Sequence, residues 1–171
     1  MSEATVVFSH GLDSTPSGTK IIAMSAVARR HELAVESIDY QGMSDPAQRV
    51  AKLLAWCRQA PGPFVLVGSS LGAHVSAAVS SQVPTRGMFL LAPAFYMPGY
   101  EQYTPVPSVC PISIVQGWND DVVLPQNVVR WAALYKATLQ LIDSDHRLQD
   151  SIDKVCEYFD LFLTRLKSGA A

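Results

Sequence analysis

The sequence has few cysteines, and that shortage already excludes two classes of protein. The three cysteines, Cys57, Cys110 and Cys156, are scattered and odd in number, and no C-x-x-C or metal-ligand spacing joins them. The pattern is typical of buried or half-buried free thiols in a reducing compartment. It indicates neither a disulfide framework nor a cysteine-based metal site.

The net charge of the chain is also small. The formal charge is −2 and the isoelectric point is near 6.0, so there is no basic footprint for nucleic acid or for an anionic membrane surface. No apolar run approaches the ~18 residues of a membrane span, and the N-terminus has no basic region or cleavage site. We therefore expect a cytoplasmic protein whose partner is a small molecule without strong charge. The sequence does not indicate the oligomeric state.

What the chain does have is enough apolar content for one compact domain. It is 171 residues long and 49% hydrophobic, which predicts a single domain over residues 1–171 that buries roughly 70% of its unfolded surface. There is no internal repeat, low-complexity tract or linker to divide it.

Short apolar strands alternate with segments of helical period along the chain. Such alternation predicts a parallel sheet with helices on both faces, and ligands then bind at the carboxyl ends of the strands. The helix near residue 46 should begin at a cap, Ser44 or Asp45, followed by Pro46 in the first turn. The predicted strands are residues 5–9, 34–40, 64–68, 87–92, 112–116 and 137–142, and the predicted helices are residues 19–30, 45–59, 71–81, 126–135 and 149–166.

A G-x-S-x-G motif, Gly68-Ser69-Ser70-Leu71-Gly72, lies between the third strand and the third helix. In that context it is typical of a nucleophile elbow, which holds a serine hydroxyl above the carboxyl edge of a parallel sheet. Gly68 and Gly72 have no side chains, and any other residue at these positions would clash with the returning backbone. The alternative is an ordinary strand-to-helix loop of small residues.

Serine needs a base, and the base needs an orienting acid. Asp120 and Asp121 follow the fifth strand, and His146 follows the sixth, flanked by Asp143 and Asp145. The carboxyl ends of parallel strands meet at one edge of the sheet, so these side chains should lie near the serine. The order serine, acid, histidine along the chain is the one expected of α/β-hydrolases.

Four segments together resemble the small bacterial α/β-hydrolase esterases of the serine hydrolase superfamily. They are Ser9-His10-Gly11-Leu12-Asp13-Ser14-Thr15-Pro16, Gly68-Ser69-Ser70-Leu71-Gly72, Gly117-Trp118-Asn119-Asp120 and Asp145-His146-Arg147. The resemblance spans nearly the whole chain. It implies an α/β-hydrolase fold in a minimal version with six strands, because the chain begins at what would be the third strand of the eight-stranded family sheet.

The same resemblance implies the roles of individual residues. Ser70 would be the nucleophile, His146 the base and Asp120 the acid, because Asp120 has the family's spacing after Gly117. The backbone N–H groups of Leu12 and Leu71 would form the oxyanion hole. No metal or organic cofactor is implied. One further departure is Gln116, which stands where the family usually has histidine.

The long irregular segment 93–111 is rich in proline and aromatics, and loops of that length are usually functional. We expect a small cap there, with Phe95, Tyr96 and Met97 binding substrate; covering the edge of the core is the alternative. Among the other histidines, His10 is expected to brace the oxyanion loop. His74 is expected to pack or to face solvent away from the site.

These patterns predict a serine esterase that cleaves small carboxylic esters through an acyl-enzyme on Ser70. A thioesterase is the alternative within enzymes. A catalytically silent hydrolase fold used for protein binding is the alternative from another class. A nucleotide-binding module is disfavoured because the glycine turn lacks the lysine of the P-loop and the third glycine of the dinucleotide fingerprint.

Overall fold

The computed structural model describes residues 4–169. Six strands form one parallel sheet in the order β2-β1-β3-β4-β5-β6, with α-helices between them. The strands are β1 (Thr5–Ser9), β2 (Ala34–Ile38), β3 (Phe64–Ser69), β4 (Thr85–Leu91), β5 (Ile112–Gly117) and β6 (Thr138–Ile142). The helices are α1 (Thr19–Arg30), α2 (Pro46–Gln59), α3 (Leu71–Ser80), α4 (Pro125–Tyr135) and α5 (Ile152–Ser168).

The sheet is covered on both faces, as the sequence predicted. Alternate side chains of each central strand enter two separate cores, so Val6 packs with α1 and α5 while Val7 packs with α2, α3 and α4. Phe159 of α5 centres the first core, and Trp131 of α4 centres the second; both are fully buried. The central strands are buried on both faces, which explains their almost continuous apolar sequence.

The element boundaries differ from the predicted ones by a few residues. β2 ends at Ile38 instead of at residue 40, and β4 begins at Thr85 instead of at residue 87. Thr85 pairs with Phe64 across an irregularity in the ladder, so a polar residue extends the strand before its apolar run begins. The final helix begins at Ile152, after a 3-10 turn over Gln149–Ser151.

The start of α2 follows the predicted capping pattern. Asp45 is the cap, and its side chain accepts a hydrogen bond from the Ala47 N–H at 2.9 Å, with Pro46 in the first turn. The three cysteines are free, and one of them, Cys57, is buried. Burial raises the pKa of Cys57 and that of Cys110 to about 11, so these two thiols are protonated at neutral pH. No helix within residues 4–169 is long and apolar enough to cross a membrane.

Candidate active site

Ser70 lies in the tight turn between β3 and α3, with φ at 53° and ψ at −117°. This conformation is strained for a residue that carries a side chain. A β-carbon at Gly68 would overlap the backbone at the start of α3, and one at Gly72 would overlap the carbonyl of Ser9. The two glycines therefore allow the close approach that this turn requires.

His146 bridges Ser70 and Asp120. Its Nε2 lies 3.0 Å from the Ser70 Oγ, and its Nδ1 lies 2.8 Å from Oδ2 of Asp120. A carboxylate beside Nδ1 favours the tautomer with the proton there, which leaves Nε2 able to accept a proton from a hydroxyl. The turns after β3, β5 and β6 thus bring three residues predicted from the sequence into one hydrogen-bonded chain.

The Asp120 side chain is fully buried and fully hydrogen-bonded. Its Oδ1 accepts from the N–H groups of Val122 at 2.9 Å and Val123 at 2.8 Å, and Oδ2 accepts from His146 and from the Gln116 side-chain amide at 2.9 Å. Burial alone would raise the pKa of this carboxyl, but the hydrogen bonds from His146 and the two backbone amides hold it below its ordinary value. Asp120 is therefore ionised at neutral pH.

The neighbouring acids take no part in the hydrogen bonds that join Ser70, His146 and Asp120. Asp121 is exposed, and Asp143 accepts a hydrogen bond from the Asn119 amide at 2.8 Å. Asp145 accepts from the backbone N–H groups of Arg147 at 2.9 Å and Leu148 at 3.1 Å, so it shapes the loop that carries the histidine.

The loop after β1 approaches the serine turn closely. A β-carbon at Gly11 would lie 3.5 Å from the Ser70 β-carbon, and Leu12 and Leu71 both line the cavity that contains Ser70 and His146. The Leu12 N–H has no acceptor among residues 4–169. Leu71 is the first residue of α3, so its N–H has no acceptor within the helix. Both amides are available to a ligand.

The same loop is held from beneath by His10 and Arg49, both buried. The Tyr40 N–H donates to Nε2 of His10 at 2.9 Å, so Nδ1 carries the proton and donates to the Gly11 carbonyl at 2.8 Å. Arg49 donates to the carbonyls of His10 at 2.8 Å and Met43 at 2.7 Å, and its guanidinium lies over the Tyr40 ring. Burial lowers the pKa of His10. It therefore braces the loop as a neutral imidazole.

An open cavity of about 1490 Å³ surrounds the Ser70 hydroxyl. This volume exceeds the roughly 300–1,000 Å³ of typical ligand pockets. Its walls come from the loop after β1, the starts of α1 and α2, the serine turn, the segment after β4 and the histidine loop. Within residues 4–169, no group of three or more histidine, cysteine or acidic side chains is arranged to hold a metal ion.

The aromatic segment after β4 divides between the core and the cavity. Phe95 was predicted to bind substrate, but its side chain is fully buried and stacks on Trp131 with ring centroids 4.3 Å apart, so it belongs to the core. Tyr96 also lies away from the cavity, with its ring under Arg130 at 4.1 Å. Met97 does line the cavity. Tyr100 and Tyr103, which belong to the segment predicted as a cap, line it as well, and so does Thr104.

His74 differs from expectation. It lines the cavity, and its Nδ1 lies 3.3 Å from the Ala94 carbonyl, because the segment after β4 folds back over the first turns of α3. Burial lowers the pKa of His74, so it is a neutral wall residue, and its imidazole makes no hydrogen bond to the Ser70 hydroxyl.

A model of the family described as uncharacterised protein family UPF0227 matches residues 5–106, more than half of the chain. A crystal structure from Xanthomonas campestris pv. campestris, of a protein assigned to the alpha/beta hydrolase superfamily, is 33% identical with a TM-score of 0.88. That match covers 95% of this chain and 99% of the other. The chain belongs to the UPF0227 family of α/β hydrolases.

Two more distant structures share the fold of this UPF0227 protein. One, from Xanthomonas campestris, is described as an α/β serine hydrolase without a lid; it is 19% identical, covers 95% of this chain and 81% of that one, and has a TM-score of 0.77. The other is Est1E from Butyrivibrio proteoclasticus, 16% identical over 97% of this chain and 89% of that one, with a TM-score of 0.80. No curated protein matched. The predicted six-stranded α/β-hydrolase fold is confirmed.

Sequence reasoning missed two residues that support this site, Arg49 and Gln116. Arg49 shares the buried face of α2 with Leu53 and Cys57, so the helical period does place it inward, and a charged side chain there indicates a specific partner. Gln116 was noted only as a departure from the resembling family, although it contacts the same carboxylate oxygen as His146. The available signal for Gln116 was its position at the end of a predicted central strand, because a side-chain amide buried there needs a hydrogen-bond partner.

Proposed function

We propose that this protein is a serine hydrolase that cleaves small carboxylic esters through an acyl-enzyme on Ser70. His146 is the general base, and Asp120 orients it. The observation that carries the proposal is the continuous hydrogen-bonded chain from a strained serine through His146 to a buried, ionised aspartate. A serine in an ordinary loop would require neither the strain nor the aligned imidazole.

In the first half-reaction, Nε2 of His146 takes the Ser70 proton while Oγ attacks the ester carbonyl carbon. The N–H groups of Leu12 and Leu71 donate to the oxyanion of the tetrahedral intermediate. When the intermediate collapses, the bond between the acyl carbon and the leaving oxygen breaks, and that oxygen takes the proton from the imidazolium. Water then repeats the sequence on the acyl-enzyme, which releases the acid and restores Ser70.

Two electrostatic features favour this path. A preorganised oxyanion donor contributes on the order of 3 kcal/mol to transition-state stabilisation, and Leu12 and Leu71 offer two. The lowered pKa of Asp120 keeps a negative charge beside the imidazolium that forms during the reaction.

The substrate class is a short-to-medium acyl ester. Met97, Tyr100 and Tyr103 give the cavity an apolar and aromatic wall, and the segment they belong to acts as a small cap. Est1E has been solved with ferulic acid bound, so an aromatic acyl ester belongs in the substrate panel beside the linear ones.

The test is hydrolysis of p-nitrophenyl esters from acetate to laurate by the wild-type protein and by Ser70→Ala. We expect turnover that peaks at short or medium chains and that is lost in the variant. Acyl thioesters matched to the best oxyester separate an esterase from a thioesterase. Absence of turnover on every ester, together with absence of fluorophosphonate labelling, would favour a silent fold used for protein binding.

A further inference from the structure

Lys20, in the first turn of α1, is a cation in the wall of the proposed active site. It lines the same cavity as Ser70 and His146, and its Nζ donates to the backbone carbonyl of Arg147 at 2.7 Å. Arg147 directly follows the histidine. The Lys20 ammonium is therefore tied to the loop that carries His146.

This ammonium lacks an anionic partner. Within residues 4–169, no carboxylate oxygen lies within 4.0 Å of Lys20 Nζ or of the Arg147 guanidinium, although Asp145 and Asp120 are near enough to act on the charge of Lys20. An ammonium has three donors, and the protein described here takes up one of them. Burial lowers the pKa of Lys20 to about 8, a shift that Asp145 only partly opposes, so the charge is incompletely compensated.

The position of this cation relative to the reaction follows from the proposed mechanism. His146 must donate its proton to the leaving oxygen, so the leaving group lies on the histidine side of Ser70. Cavity residues on that side include Arg147, which follows the histidine, and Lys20, which is bonded to it. A negative group on the leaving alcohol would therefore come close to two cations.

We propose that Lys20 binds a carboxylate or phosphate carried by the leaving alcohol of the substrate, with Arg147 adding a second positive charge at the rim. The inference rests on the proposed esterase function and narrows it to esters of anionic alcohols. Lys20 changes no bond: the acyl carbon still passes from the leaving oxygen to Ser70, and His146 still supplies the leaving proton. The substrate is then charged, unlike the one that the overall composition led us to expect.

The experiment compares two butyrate esters, one of 4-hydroxybenzoate and one of its neutral isostere 4-hydroxybenzamide. Each kcat/KM is divided by the rate of hydroxide-catalysed hydrolysis of the same ester, which removes the intrinsic reactivity of the leaving group. We expect the anionic ester to be favoured by about tenfold, a factor that corresponds to roughly 1.4 kcal/mol. The butyrate ester of 4-hydroxyphenyl phosphate forms a third arm, and a larger preference there would identify phosphate as the recognised group.

The diagnostic variant is Lys20→Met, which keeps the length of the side chain and removes the charge. The matched control is Lys52→Met, because Lys52 also donates to a backbone carbonyl, that of Asp39, but does not line the cavity. We expect the anionic preference to fall close to unity in Lys20→Met, to persist in Lys20→Arg and to be unchanged in Lys52→Met.

Several results would overturn the inference. One is a wild-type ratio of the normalised kcat/KM values, anionic over neutral ester, near unity. Another is an unchanged ratio in Lys20→Met. If Lys20→Met lowered kcat/KM equally on both esters, Lys20 would only support the histidine loop. If Lys20→Met does not fold, product inhibition of the wild type decides: 4-hydroxybenzoate should inhibit more strongly than 4-hydroxybenzamide, and equal inhibition contradicts the inference. Hydrolysis of neither ester would instead overturn the proposed function.

Discussion

The side-chain amide of Gln116 donates a hydrogen bond of 2.9 Å to Oδ2 of Asp120. The same oxygen accepts from His146, so the amide helps to hold in place the carboxylate that binds the imidazole. The Gln116 Nε2 also lies 3.1 Å from the Val123 carbonyl, whereas its Oε1 is buried and has no described partner. With the amide turned the other way, Oε1 would face the negative charge of Asp120.

Gln116→Met should lower kcat because it keeps the volume of the side chain and removes the donor to Asp120. Loss of a hydrogen bond to a charged group costs about 1.5–3 kcal/mol. We expect a fall of at least about tenfold on an activated neutral ester, the kinetic equivalent of roughly 1.4 kcal/mol. Measurement of kcat beside thermal stability tests this, and an unchanged kcat in a folded variant would show that Gln116 only fills space.

Asp120→Asn and Asp121→Asn form a matched pair in the same turn. The amide at position 120 cannot hold the imidazole in the required tautomer, and in another serine hydrolase that change costs about 10⁴ in kcat. Asp121 is exposed and outside the hydrogen-bonded chain, so its variant should lose less than about tenfold, or roughly 1.4 kcal/mol of barrier. Side-by-side kcat values decide between them. The reverse ranking would move the orienting acid to Asp121.

Much of this architecture follows from local sequence pattern. Short runs of β-branched and aliphatic residues, helices of period 3.6, and the Asp45 cap with Pro46 all describe short stretches of chain, so the sheet and its six strands were predictable. The proximity of Ser70 and His146 was also predictable, because both follow predicted strands of a parallel sheet and such strands end at one edge.

Contacts that involve backbone groups or irregular segments were not predictable. Arg49 donates to backbone carbonyls, including that of His10 in the loop after β1. Every residue has a backbone carbonyl, so the sequence does not show which of them binds a side chain. His74 lines the cavity only because the segment at Ala94 returns over α3. Phe95 and Met97 lie two residues apart in an irregular segment, where no periodicity assigns one side chain to the core and the other to the cavity.

Phe95→Ala and Met97→Ala should therefore have opposite effects. Removing the buried Phe95 ring from its stack on Trp131 should cost about 3–5 kcal/mol of unfolding free energy. Met97→Ala should change the preferred acyl-chain length with a much smaller loss of stability. Chemical denaturation and the p-nitrophenyl ester series measure the two effects. If Met97→Ala destabilised the fold and left the chain-length profile unchanged, this residue would be part of the core.

The preference for an anionic ester should decline as the pH rises through about 8. Lys20 loses its proton in that range, because burial lowers its pKa more than the nearby Asp145 and Asp120 raise it, while Arg147 lowers it further. Below that pH the ammonium is charged, and the preference is complete. The measured quantity is the ratio of kcat/KM for the two butyrate esters, in which pH effects on the shared hydrolytic steps cancel. A ratio that stays constant across this range would exclude Lys20 as the recognition group.

The most direct test of the central claim is to locate the adduct of a fluorophosphonate probe by mass spectrometry of the intact and digested protein. We predict one adduct, on Ser70, which is absent from Ser70→Ala and from His146→Ala. Ser69→Ala is the matched control, since this neighbour lies in the same motif but outside the hydrogen-bonded chain. It should still be labelled. An adduct on Ser69, or full ester hydrolysis by the folded Ser70→Ala protein, would contradict the assignment of Ser70 as the nucleophile.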